Sequence, residues 1–142
     1  MRKRYMIYGL LGWCVEVFWT GMGSLFRGDF TLQARTSIWM FFVYGLALLL
    51  EPIHHRIRHW PIWMRGSVYT VIIFAIEYMT GLILSSFHLC PWDYSGTTWS
   101  VHGLIRLDYA PAWFLASLLF EKIHDYLTED EPMIVVPKKR YS

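Results

Sequence analysis

The sequence has little charge, and the charge it has is unevenly placed. Asp, Glu, Lys and Arg make up 17% of the 142 residues, against 55% for the hydrophobic residues. A soluble domain of this size rarely has such long uncharged runs. The net charge of +2 is too small to indicate a nucleic-acid partner. Because the basic residues cluster between apolar runs, composition predicts one compact unit embedded in the lipid bilayer.

Several motifs of enzymes and cofactor sites are also missing. Cys14 and Cys90 lie in or at the end of apolar runs and form no disulfide framework, so we expect free thiols. The chain has no G-x-x-x-x-G-K-[ST], no nucleophile elbow and no H-E-x-x-H. One loop holds four candidate metal ligands, His88, Cys90, Asp93 and His102. Their spacing matches no standard zinc pattern, so we predict neither metal nor cofactor and do not favour an enzyme.

Four apolar segments are long enough to be transmembrane helices. The clearest covers residues 67–87 and spans about 30 Å, the thickness of a bilayer core. Its one charge, Glu77, lies at its centre. The other predicted helices cover residues 5–25, 37–54 and 107–127.

The predicted fold is an all-α, polytopic membrane protein. Residues 1–127 form a single bundle of four transmembrane helices. Residues 128–142 mix acidic and basic side chains with little to bury, which predicts a disordered cytoplasmic tail. Pro52 is expected to kink or end the second helix.

The orientation follows from the positions of the 13 Lys and Arg residues. Ten lie in the N-terminus, the connector between helices two and three, and the C-terminal region; three lie in the two opposite loops. The positive-inside rule therefore predicts that both termini are cytoplasmic, in a cell membrane or a bacterial inner membrane.

The two halves of the chain resemble one another. Tyr8 precedes Glu16 by eight residues, and Tyr69 precedes Glu77 by eight. Similar hexapeptides, LLEPIH and LFEKIH, lie at residues 49–54 and 119–124. The pattern predicts two helical hairpins that enter the membrane in the same direction, a parallel repeat. The alternative is chance similarity between apolar segments.

Buried carboxylates are the strongest functional signal. A charge at the bilayer centre costs about 2.5–3.5 kcal/mol, so such a residue indicates function by default. Glu16 and Glu77 are predicted to lie at one depth, where two close carboxylates would share a proton or hold a cation. Glu51 and Glu121 lie nearer the cytoplasmic end. The alternative is that all four are separately neutralised by Tyr, Trp or Thr hydrogen bonds.

Two further groups of residues are distinctive. Small residues on the first helix, Gly9 and Gly12 among them, form one face with Glu16 and predict a close helix contact. The loop string CPWDYS, residues 90–95, predicts a turn capped by its aspartate. We expect Trp92, Asp93 and Tyr94 to form an outer cap over the carboxylates.

Short groups of residues that match known membrane-protein families occur in order over residues 5–125. They are Tyr8, Gly12, Cys14–Val17, Thr36–Trp39, Val43–Gly45, Glu77, Thr80–Gly81, Cys90–Ser95, Gly103–Ile105, Asp108–Ala110, Trp113–Phe114 and Glu121. With them the chain resembles the transmembrane protein 229 family and the broader bacterial family of ABC-transporter permeases of CmpB type. It departs from many bacterial members at Arg27-Gly28-Asp29, where they have Arg-Gly-Phe. The resemblance implies a multi-pass membrane protein, and any ATPase would be a separate subunit.

The sequence thus favours a transporter-like or channel-like protein, a permease-type subunit whose mid-membrane carboxylates bind a proton or a cation. The candidate site residues are Glu16, Glu77, Glu51, Glu121, Trp92, Asp93 and Tyr94. Two alternatives stay open: an accessory or structural membrane subunit, and a lipid-modifying enzyme with Asp93 or His102 at the interface. Because four short helices leave little room for a path, we expect a homo-oligomer or a partner membrane subunit.

Overall fold

The computed structural model describes residues 1–129, and the predicted tail beyond them lies outside the described residues. The described chain is mostly helical. Its helices are α1 (Arg2–Phe26), α2 (Ile38–Gly45), α3 (Glu51–Ile57), α4 (Ile62–Ser86) and α5 (Ala110–Thr128). A 3-10 segment, Leu46–Leu50, joins α2 to α3, and another, Leu107–Tyr109, leads into α5. A two-stranded antiparallel sheet, β1 (Ser100–Val101) and β2 (Ile105–Arg106), lies in the loop before α5.

The second helical segment is continuous past its proline. The segments α2, Leu46–Leu50 and α3 together form one rod, Ile38–Ile57. Pro52 lies in the first turn of α3, where the missing N–H group is tolerated. The segment therefore runs one turn beyond the predicted end at residue 54.

Close packing at two glycines joins α1 to α2. A side chain added at Gly9 would collide with Phe41, and one added at Gly12 would collide with Tyr44. The predicted close contact of this small-residue face is confirmed. The indole of Trp13 also donates a hydrogen bond of 2.9 Å to the carbonyl of Ser37, the N-cap residue of α2. These contacts fix how α1 lies on its partner.

The second pair of helices, α4 and α5, packs in a similar way. At Gly66 of α4 the ring of Phe114 from α5 occupies the place of a side chain. Tyr69, fully buried, lies one turn further along α4 and packs with Leu50 and Ile57 of the preceding rod. The core therefore lies where the two pairs meet.

Polar side chains lie inside and large apolar ones outside. The buried polar and charged residues are Ser24, Glu51, His54, Thr70, Glu77, Ser117, Glu121 and His124. Large apolar side chains such as Phe18, Val71 and Leu115 are two-thirds exposed. Water would disfavour this distribution, whereas lipid favours it. Within residues 1–129, two helical segments are long and apolar enough to cross a membrane, Ile38–Ile57 and Ile62–Ser86.

Candidate functional site

A central cavity of about 170 Å³ lies between the helices, and α1, the Ile38–Ile57 rod, α4 and α5 all line it. Its lining reaches from Tyr8 and Phe120, whose rings are 5.1 Å apart, to Trp92 in the loop after α4. Most of the wall is aliphatic or aromatic. A polar atom on this wall is therefore held in an apolar environment.

Among residues 1–129, Glu77 is the one carboxylate on that wall, and only one of its two oxygens has a hydrogen-bond partner. The residue is 9% exposed. Its Oε1 accepts a hydrogen bond of 3.2 Å from the Tyr94 hydroxyl, but within residues 1–129 its buried Oε2 has no partner. Burial raises the pKa of Tyr94, so this hydroxyl keeps its proton and donates it. An unpaired buried oxygen of this kind is costly, and more so when it is charged.

Trp113, on the same cavity wall, has a hydrogen-bond donor without an acceptor among the described residues. Its indole Nε1 is buried and has no acceptor within the described part of the chain. Two residues on the cavity wall thus each have a buried polar atom without a partner within the described residues, Glu77 Oε2 and Trp113 Nε1. Because buried polar groups are nearly always paired, both atoms are exceptions that call for an explanation.

Glu16 lies beside this site with its own tyrosine. Its Oε2 accepts a hydrogen bond of 2.9 Å from the Tyr44 hydroxyl, and the Tyr44 ring lies 6.3 Å from that of Trp113. Tyr44 also lines the cavity, so its hydrogen bond places Glu16 next to the wall that carries Glu77.

The predicted outer cap is divided by the structure. Trp92 lines the cavity and is fixed by a hydrogen bond of 2.9 Å from its indole to the Leu104 carbonyl, and Tyr94 reaches Glu77. Asp93 is exposed, and its Oδ1 accepts the Ser95 N–H at 2.9 Å. This bond lowers the pKa of Asp93. Asp93 caps the predicted turn and lies outside the cavity wall.

Glu51 is held in a separate place. Arg4 donates to it through two nitrogens, Nε to Oε1 at 2.8 Å and Nη2 to Oε2 at 3.2 Å. The Tyr8 hydroxyl donates to the same Oε1 at 2.8 Å. Such a bidentate pair with an added hydrogen bond neutralises the carboxylate.

Glu121 has the same set of partners from the second half of the chain. Arg65 donates Nε to Oε1 at 2.9 Å and Nη2 to Oε2 at 3.2 Å, and the Tyr69 hydroxyl donates to Oε1 at 2.7 Å. Neither Glu51 nor Glu121 lines the central cavity. The four predicted carboxylates therefore form two groups with different degrees of pairing.

Four residues that contact the candidate site residues or line the cavity are not predicted from the sequence. Tyr44 and Trp113 belong to the residue groups that carry the family resemblance, but their sequence context assigns them no role in the site. Arg4 and Arg65 look like juxtamembrane positive charges. Arg4 precedes Tyr8 by four residues, and Arg65 precedes Tyr69 by four. The spacing Arg-x3-Tyr-x7-Glu therefore occurs twice in the sequence, and this pattern could have identified both arginines.

Two bilayer-length helices and an inverted distribution of polar and apolar side chains support a location in the membrane. The chain belongs to the CmpB-type family described as "Putative ABC-transporter type IV", whose model matches residues 4–140. This confirms the resemblance to that family and makes the chain a transporter-associated membrane protein, with an ATPase as a possible partner. No solved structure matches it.

Proposed function

We propose that this chain is a permease-type subunit whose central cavity binds a proton or a small cation at Glu77, with Glu16 beside it. The observation that carries the proposal is the buried Oε2 atom of Glu77, which has no hydrogen-bond donor within residues 1–129. An ionised carboxylate in an apolar cavity must be neutralised. A proton or a cation does this directly.

The size of the cavity favours a small occupant. About 170 Å³ is below the roughly 300–1,000 Å³ typical of sites for organic ligands. A proton or a partly hydrated cation fits, and Trp113 would donate to its water. A wider path needs more surface, so we propose that a second copy or a partner membrane subunit completes it and that a separate ATPase drives it.

The repeat and the topology belong to the same proposal. The matching Arg–Glu and Tyr–Glu contacts of the two halves support a parallel repeat of two hairpins, with all four helical rods crossing the membrane. Both termini would then lie on the cytoplasmic side, together with the two arginine-paired glutamates. In this arrangement Glu51 and Glu121 hold the structure together and Glu16 and Glu77 bind the ion.

Carbodiimide labelling tests the proposal at the residue level. A hydrophobic carbodiimide reacts with protonated carboxyl groups in apolar surroundings, and mass spectrometry locates the adduct in the full-length protein in liposomes. We expect an adduct on Glu77 and none on Glu51, whose carboxylate is paired with Arg4. The Glu77→Gln variant removes the adduct, and the exposed Glu129→Gln variant keeps it. An unmodified Glu77 in the wild type would contradict proton binding, and protection by added Na⁺ or K⁺ would identify a cation.

Flux measurements separate the remaining alternatives. Proteoliposomes with an internal pH dye receive an acid pulse, and wild-type protein is compared with the double variant Glu16→Gln, Glu77→Gln. We expect the double variant to lose flux while inserting normally. Equal flux in the two proteins would overturn the role of the carboxylates. Absence of flux with co-purification of a partner indicates an accessory subunit, and a lipid product formed without a gradient indicates an enzyme.

A further inference from the structure

Two buried histidines meet an aspartate where α3 approaches α5, away from the central cavity. The side chains of His54 and His124 are 4% and 2% exposed, and that of Asp125 is 53% exposed. His54 Nε2 lies 3.0 Å from Asp125 Oδ1, and His124 Nδ1 lies 3.2 Å from the same oxygen. One potential ligand atom from each residue lies within 4.8 Å of the other two. We call these three residues the His–His–Asp cluster.

The hydrogen bonds around His54 determine which nitrogen carries its proton. The Tyr69 hydroxyl donates its one proton to Glu121, at 2.7 Å. At its 3.0 Å contact with His54 Nδ1, the Tyr69 oxygen must therefore accept, so Nδ1 bears the hydrogen. A neutral His54 then points the lone pair of Nε2 at the carboxylate oxygen of Asp125. Either a proton on Nε2 or a metal ion bound by both atoms satisfies this contact.

A carboxylate lies near the second ring nitrogen of each histidine, at a shorter distance for His54 than for His124. His54 Nδ1 lies 3.3 Å from Glu121 Oε1, and His124 Nε2 lies 3.9 Å from Glu51 Oε1. Histidine ligands of metals almost always donate their second ring N–H to a carboxylate, carbonyl or water, which fixes the tautomer and the ring orientation. His54 has such a partner for Nδ1 in Tyr69, whereas His124 Nε2 is too far from Glu51 for a hydrogen bond. In both rings the other nitrogen faces Asp125 and can bind a metal.

We propose that His54, His124 and Asp125 bind a Zn²⁺ ion that joins the two halves of the protein. Imidazole and carboxylate ligands suit zinc. A tetrahedral zinc ion with bonds of about 2.0–2.1 Å places its ligand atoms about 3.3 Å apart. The distances from Asp125 Oδ1 to the two histidine nitrogens, 3.0 and 3.2 Å, are close to that value.

The site is also accessible. His124 and Asp125 line an open cavity of about 580 Å³ with His55, Lys122 and Tyr126. A metal ion can enter from there, and a water molecule can occupy the fourth position. The site goes beyond the proposed function, because it does not involve Glu77 or the central cavity.

Metal titration of the purified full-length protein tests the site without any transport assay. After chelation, Zn²⁺ is added in detergent and binding is followed by calorimetry, with Co²⁺ absorption reporting tetrahedral geometry. We expect one Zn²⁺ per chain. The variant Asp125→Asn should weaken binding by at least about tenfold, the lower end of the range seen when even an outer-shell partner of a metal ligand is changed. Because Asp125 is half exposed, this variant should fold.

Two further variants keep the test decisive. His124→Gln removes a buried ligand and should also lose tetrahedral Co²⁺ absorption, whereas His59→Gln alters an exposed histidine of the same region and should change neither readout. Zn²⁺ should raise the unfolding temperature of the wild type more than that of Asp125→Asn, since a ligand stabilises only the form that binds it. Equal Zn²⁺ affinity in the wild type and Asp125→Asn would overturn the site and leave a protonated histidine as the bridging cation.

Discussion

Glu121 and Glu77 are both buried glutamates, yet their surroundings are opposite. Glu121 receives two hydrogen bonds from Arg65 and one from Tyr69, whereas Glu77 receives one, from Tyr94. A fully paired carboxylate contributes to a fixed architecture, and its removal leaves other groups unpaired. A half-paired carboxylate has capacity left for a ligand. The comparison separates a glutamate that stabilises the fold, Glu121, from one that we propose binds a ligand, Glu77.

The largest expected effect comes from unpairing Glu121. Arg65→Met leaves this carboxylate buried without its cation, which should lower the free energy of unfolding by about 3–5 kcal/mol. Denaturant unfolding in detergent measures the loss. The control is Arg106→Met, which removes a more exposed pair with Asp108 and should cost no more than about 1 kcal/mol. Equal losses would show that Glu121 is not specially paired.

The next effect concerns the tyrosine of the same group. Tyr69→Phe removes the donor to Glu121 and the acceptor for His54, so it should destabilise by about 1–3 kcal/mol. The matched control is Tyr126→Phe, at a side chain 76% exposed, where no change is expected. Thermal unfolding of the two variants side by side is the measurement. If Tyr69→Phe leaves the stability unchanged, the hydrogen bonds of Tyr69 with Glu121 and His54 do not stabilise the protein.

Glu77 should respond in the opposite direction. Glu77→Gln removes a carboxyl group whose Oε2 has no partner within residues 1–129, so stability should stay within about 1 kcal/mol of the wild type or rise. Glu121→Gln, which breaks a bidentate pair, should destabilise. Unfolding curves of the two variants, measured under the same conditions, show whether each substitution raises or lowers the free energy of unfolding. A loss at Glu77 as large as that at Glu121 would contradict the contrast between the two sites.

The smallest effect is a pH dependence in the outer loop. The Ser95 N–H holds the pKa of Asp93 below its ordinary value of about 3.9. The stabilisation is therefore present above that ordinary value and is lost as the pH falls through the lower, folded-state value. Below pH about 4 the small stability advantage of the wild type over Asp93→Ala should shrink, as thermal midpoints at several pH values would show. A stability difference between the wild type and Asp93→Ala that increases as the pH falls would contradict this prediction.

The sequence alone predicts the helical rods and the anomalous glutamates, because hydropathy and isolated charges are local properties. It also contains the repeated arginine, tyrosine and glutamate spacing, although charge counting alone presents those arginines as membrane-surface residues. The orphan indole of Trp113 could not be predicted, since it depends on how α5 is rotated against its neighbours. The same holds for the meeting of Asp125 with His54, which lies 71 residues away in the chain.

The contacts between the two halves are reciprocal. Glu51 of the first half lies behind His124 of the second, and Glu121 of the second lies behind His54 of the first. An exchange in which i meets j and j meets i is the geometry of an isologous dimer interface. The connector between α3 and α4 therefore joins two segments that contact each other through the same pair of residue types, a glutamate and a histidine contributed by each side.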